Sequence, residues 1–128
     1  MREAHHAHFL CGAVQIRVNG PLPPGGACHR IQCRCQSGHF WASTDEPRKA
    51  MTICGEDALS WYQSSEKVFR GFCKTCGSFL LWEVPGRATI AIALGAFDSP
   101  TGTQLEKHIF VASKGDYYEI ADGLPELP

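Results

Sequence analysis

The sequence predicts a mainly β domain with little helix, and three observations carry that prediction. Apolar residues recur in short runs of strand period, closed by Gly and Pro. No window sustains a long helical apolar period between caps. Seven cysteines among 128 residues, two of them in Cys73-Lys74-Thr75-Cys76-Gly77, point to small sheets whose limited core is supplemented by a zinc staple.

Each element follows in order. Residues 1–8 have no apolar run and are expected to be a flexible tail, which leaves 9–128 as a single domain. Residues 13–18 place Val14, Ile16 and Val18 on one face, and Asn19-Gly20-Pro21 ends that strand. Residues 21–26 read as a rigid proline loop. Residues 28–38 are dense in Cys, Arg and Gln without a strand period, so a loop or one irregular helical turn is expected. Strands are expected over 39–43 and 49–54, with Cys54 in the core, and Gly55-Glu56-Asp57 as a turn. Residues 59–63 and 67–72 flank Ser64-Ser65-Glu66 as a hairpin. Residues 79–84 form a strand stopped at Pro85-Gly86. The nearly continuous apolar run 88–94 predicts a strand buried on both faces. A turn region over 95–102 precedes final strands at 108–113 and 117–120, and Asp122-Gly123-Leu124-Pro125 cannot continue a ladder.

Composition excludes several classes of function. The net charge is −1 and the basic residues are scattered, which argues against nucleic acid as a partner. No apolar run approaches the roughly 20 residues that cross a bilayer, so no membrane partner is expected. The first residues lack an apolar signal core, and an odd cysteine count suits a secreted disulfide framework poorly. The expected setting is the reducing cytoplasm, where clustered cysteines mean metal or catalysis.

In Cys73-x-x-Cys76-Gly77, two intervening residues let both thiolates face one ion while the glycine accepts a positive φ. The rival reading, a thioredoxin-like redox dithiol, needs a βαβ context that the sequence lacks. Tetrahedral zinc wants four ligands. Cys11, followed by Gly12 at the start of a strand, is the third candidate, and its alternative is a buried apolar thiol. For the fourth position His8, His6, Cys35 and water stay open, and both histidines read equally well as solvated. The second cluster runs Cys28-His29-Arg30-Ile31-Gln32-Cys33-Arg34-Cys35. Either Cys28 and Cys33 ligate a second metal with His29 or Cys35, or these are free thiols lining a pocket, their pKa depressed by Arg30 and Arg34.

Taken together, these motifs resemble those of the glutathione-dependent formaldehyde-activating enzymes, a family that includes the centromere protein V group. The residues carrying the resemblance are Cys11-Gly12-Ala13-Val14, Cys28-His29, Cys33-Arg34, Ser37-Gly38, Arg70-Gly71-Phe72-Cys73-Lys74-Thr75-Cys76-Gly77-Ser78 and Asp122-Gly123-Leu124-Pro125. The resemblance runs from about residue 9 to 125. It implies a β-tent fold whose sheets meet at a structural zinc held by Cys11, Cys73 and Cys76. It also implies a second, catalytic zinc at Cys28 and Cys33, where glutathione thiol adds to formaldehyde in carbon–sulfur lyase chemistry. Two positions depart from the pattern. Phe9 stands where the family has a structural-zinc cysteine, and Arg30 where it has a catalytic-zinc cysteine.

The enzyme reading therefore places a small thiol such as glutathione near Cys28, His29 and Cys33. His29 shuttles the proton, and Arg30 and Arg34 hold substrate carboxylates. The alternative is a non-catalytic zinc module of the same fold that binds a small thiol or a protein partner. A third reading is redox sensing by Cys28, Cys33 and Cys35.

Overall fold

The computed structural model describes residues 4–128. The prediction of a mainly β domain holds. Ten strands fall into two sheets, with one α-helix and four single 3-10 turns.

The smaller sheet has three strands, β1 (Ala4–His8), β2 (Gln15–Asn19) and β5 (Met51–Cys54), in the order β1-β2-β5. The strand β1 overturns the expectation of a flexible tail for residues 4–8; residues 1–3 lie outside the described residues. Its sequence Ala4-His5-His6-Ala7-His8 is polar by composition yet alternates, with His5 and Ala7 buried and His6 and His8 exposed. Pairing with β2 from Ala4↔Asn19 to His8↔Gln15 satisfies its backbone, which no composition count reveals.

The larger sheet contains β3 (Gly25–Cys28), β4 (Trp41–Pro47), β6 (Leu59–Gln63), β7 (Phe69–Cys73), β8 (Phe79–Glu83), β9 (Thr89–Ala93) and β10 (Leu105–Ile109). Their order is β10-β3-β4-β9-β8-β7-β6. All pairings are antiparallel except β10 with β3, which is parallel. Strand β3 replaces the end of the expected proline loop. Gly25 is packed so closely there that an added Cβ would lie 2.9 Å from the Ser43 carbonyl oxygen. The cysteine-dense stretch forms a helix, α1 (Ile31–Ser37), closed by Gly38 at φ 87°. Residues 117–120 are not a strand; instead Pro125 and Leu127 hydrogen-bond to His108, and Leu127 to Val111, so the C-terminal segment covers the β10 edge.

The buried strand β9 decides where open space lies. Its side chains alternate between two clusters. Ile90 and Ile92 enter the main core with Phe9, Val14, Ile16, Val18, Leu81 and Phe97. Ala91 and Ala93 face the second cluster, with Cys28, Cys33 and Trp41. Small side chains on that face leave room for a cavity. Cys54, expected in the core, is exposed, because at the end of β5 it faces away from the main core that its neighbour Ile53 packs against.

Candidate functional site: a thiol trio and a thiol-lined cavity

The trio is assembled by two turns from different sheets. The β1–β2 turn is closed by Phe9 N–H to the Val14 carbonyl (3.0 Å) and Gly12 N–H to the Phe9 carbonyl (2.8 Å), with Gly12 at φ 78°. This carries Cys11 to the tip. The turn after β7 is closed by Gly77 N–H to the Cys73 carbonyl (2.8 Å), with Gly77 at φ 80°. The sulfurs of Cys11, Cys73 and Cys76 lie within 4.8 Å of one another, and those of Cys11 and Cys73 are 3.6 Å apart.

Ser78, which sequence reasoning passed over, joins the turns. Its Oγ accepts from Leu10 N–H (3.1 Å) and lies 3.2 Å from the Cys76 sulfur, to which its O–H donates. That bond, with N–H donors from Ser78 and Cys11, lowers the Cys76 thiol to about 6. For Cys11 the Ala13 N–H lowers the pKa, but desolvation and the Cys73 and Cys76 thiols outweigh it and hold the thiol above its ordinary value. Three clustered sulfurs, with N–H donors at Cys11 and Cys76, suit a thiolate-binding metal ion. Among the described residues no further His, Cys, Asp or Glu joins the group. His8 is turned to Asp98 (Nε2 to Oδ1, 3.3 Å), and Phe9 is fully buried core. Cys35 lies exposed on α1.

The second cluster opens onto a cavity of about 560 Å³. Its apolar walls include Trp41, Val68, Trp82 and Ala91. Arg30, Lys67, Arg87 and Lys107 line it as well, together with Asp45 and Glu106. Cys28 and Cys33 line it too and belong to one buried cluster with Trp41. Behind Cys33 sits Arg70, a residue that sequence reading placed only inside a motif. It is 1% exposed, with no carboxylate in reach among the described residues. Its Nη1 and Nη2 each lie 3.7 Å from the Cys33 sulfur, and its Nε donates to Ser64 Oγ (2.9 Å). A buried guanidinium demands an anion, and the Cys33 sulfur is the group positioned to be one. The neighbouring Cys28 thiol, then the Arg70 guanidinium, pulls Cys33 down to about 6; the Cys33 thiol, then burial, pushes Cys28 up.

Two of the expected site residues lie elsewhere. His29 is fully buried and does not line the cavity. Tyr118 O–H donates to its Nδ1 (2.5 Å), its Nε2–H donates to His108 Nδ1 (2.9 Å), and His108 Nε2–H donates to Asp122 Oδ2 (2.7 Å). With both ring nitrogens committed and burial lowering its pKa, His29 is held neutral in this buried chain, away from the cavity. Arg34 is likewise outside the cavity lining and donates to the Ser113 carbonyl (2.9 Å), which ties α1 to the C-terminal loop. Arg30 does line the cavity, with its guanidinium over the Phe110 ring at 5.5 Å.

The catalytic zinc implied by the motifs does not fit what is present here. Two sulfurs remain, Arg30 occupies the third ligand's position, and the Arg70 guanidinium faces one of the two sulfurs. At an effective dielectric near 20, a dication about 4 Å from one guanidinium is opposed by about 8 kcal/mol, twice the unit-charge value.

Fold and site together define a small β domain with a metal-suited thiol trio between its sheets and a thiol-lined cavity. The family model for the glutathione-dependent formaldehyde-activating enzyme matches residues 4–113, and the chain belongs to that family. A solved structure of a Rhodobacter sphaeroides protein superposes with a TM-score of 0.61 at 16% identity, covering 96% of this chain and 99% of that one, which shows a shared fold. No curated protein matches the sequence significantly. No helix among the described residues is long and apolar enough to cross a membrane.

Proposed function

We propose that this chain carries out thiol–aldehyde adduct chemistry of the kind its family is named for, with glutathione or a similar small anionic thiol as substrate. Zinc at Cys11, Cys73 and Cys76 supplies a cross-link between the two sheets and takes no part in the reaction. The observation that carries the reading is a single cavity in which a charge-stabilised sulfur pair opens onto apolar walls that also bear cationic side chains. Substrate carboxylates pair with Lys67, Lys107 and Arg87, and the ammonium of a γ-glutamyl group with Asp45 or Glu106. The substrate thiol then lies against Cys33. Its proton passes to the Cys33 thiolate while its sulfur adds to the aldehyde carbon. The carbonyl electron pair moves onto oxygen, facing the Arg30 guanidinium, and the proton returns from Cys33 to give the hydroxymethyl thioether.

Arg30 at the third ligand's position favours one second reading, a binding module of the same fold without catalysis. Exchange between formaldehyde, glutathione and their adduct, followed by NMR with protein carrying one zinc per chain, separates the two. Faster exchange than in buffer, lost in Cys33→Ser, supports the enzyme. Exchange at the spontaneous rate with retained glutathione binding by calorimetry leaves the module.

A further inference from the structure

The mismatch between this cavity and a second metal leaves its thiol pair to be explained. Cys28, at the end of β3, and Cys33, in the first turn of α1, sit in one buried cluster and line the same cavity. The Arg70 guanidinium holds the Cys33 sulfur at 3.7 Å through both terminal nitrogens. Cys33 is 3% exposed and lines the cavity, whereas Cys35 and Cys54 are exposed. An anionic sulfur, a second thiol in the same buried cluster and a cavity wall that bears cations are the parts that thiol–disulfide exchange requires.

We infer that Cys28 and Cys33 form a metal-free exchange dithiol that reduces small disulfides of anionic thiols, with glutathione disulfide the representative substrate. The Cys33 thiolate attacks one sulfur of R–S–S–R, forming Cys33–S–S–R and releasing R–S⁻. The Cys28 sulfur, its proton passing to solvent, then attacks the Cys33 sulfur, forming the Cys28–Cys33 disulfide and releasing the second R–S⁻. Two electrons leave the dithiol and two thiolates leave the cavity. Run in reverse by excess glutathione, the same steps restore the dithiol. Arg70 takes no bond in the sequence; it positions and stabilises the Cys33 anion. The inference rests on the cavity being a small-thiol site, as proposed above, and not on the adduct reaction.

The test uses the full chain carrying one zinc, equilibrated in mixtures of glutathione and glutathione disulfide, quenched in acid, alkylated and mapped by peptide mass. Wild type is expected to show a Cys28–Cys33 disulfide with zinc content unchanged. Cys28→Ser is expected to stall with one glutathione on Cys33, and Cys35→Ser to keep the wild-type pattern. The inference is overturned if Cys35 or Cys54 takes the glutathione while Cys28 and Cys33 stay reduced. It is equally overturned if the protein binds two zinc per chain and Cys28→Ser loses one. Wild-type mapping alone decides the matter should the Cys28→Ser variant not fold. Faster adduct exchange with Cys28 and Cys33 still reduced sinks this inference alone; disulfide formation without faster adduct exchange sinks the adduct reading alone.

Discussion

Replacing Cys76 by serine tests the staple most directly. Cys76 is only half-buried, and a serine hydroxyl retains a bond to Ser78, so in metal-free protein the change is worth about 1 kcal/mol or less. With zinc the situation differs. A metal joining Cys11 to Cys73 closes a loop of 62 residues. In the chain-entropy model a closure of that length restricts the unfolded state by about 4 kcal/mol. Mass action gives a similar figure, since free zinc at about a thousand times its dissociation constant stabilises by about 4 kcal/mol. For a domain of this length each kcal/mol moves Tm by about 3–5 °C, so the expected zinc-dependent shift is about 12–20 °C. The assay is thermal unfolding followed by circular dichroism, wild type against Cys76→Ser, each with zinc and with a chelator, alongside elemental analysis. With chelator the two should melt within about 5 °C of each other; with zinc only the wild type should rise. A wild-type Tm indifferent to chelation, or an equal zinc response in the variant, would refute the staple.

Two other expectations concern single side chains. Phe9 is fully buried in the main core, so Phe9→Ala should cost about 3–5 kcal/mol in urea unfolding. Its zinc content should nevertheless remain at one per folded chain, because the aromatic ring is packing and not a ligand. Glu46 is 1% exposed with Oε1 unpartnered, and burial raises its carboxyl to about 7. The neutral form is the one the fold accepts. Its contribution is therefore fully present below the ordinary value of 4.5 and is lost as pH rises through about 7. Glu46→Gln, which cannot ionise, should gain about 2–3 kcal/mol over wild type at pH 8 relative to pH 4.5, read from urea midpoints at the two pH values.

Much of the chemistry was legible in the chain because it is local or carried by motif. The Cys73–Cys76 turn needs only neighbours, and the run 88–94 declares a doubly buried strand by its apolar continuity. Placing Cys11 with that turn needed the resemblance as well as its Gly12. Other features depended on pairing partners distant in sequence. Residues 4–8 look like a solvated histidine tail until β2 supplies their hydrogen bonds. Residues 25–28 look like loop until β4 and β10 flank them. The segment 117–120 alternates well enough for a strand but finds no ladder, because the β10 edge is taken by the C-terminal segment.

Side-chain direction was the least legible of all. His29 is adjacent in sequence to Cys28, yet neighbouring side chains at a strand end point apart, and His29 turns into a buried chain with His108 and Asp122. Arg70 lies 37 residues from Cys33 and could be paired with it only once β7 and α1 had been packed together. The sequence by itself determined that this is a small β domain of the formaldehyde-activating family with a cysteine turn suited to a metal, because periodicity and motif spacing are short-range properties. Tertiary structure alone decided that its second thiol pair faces a buried guanidinium, because a buried charge takes its counter-ion from whatever the fold brings within reach.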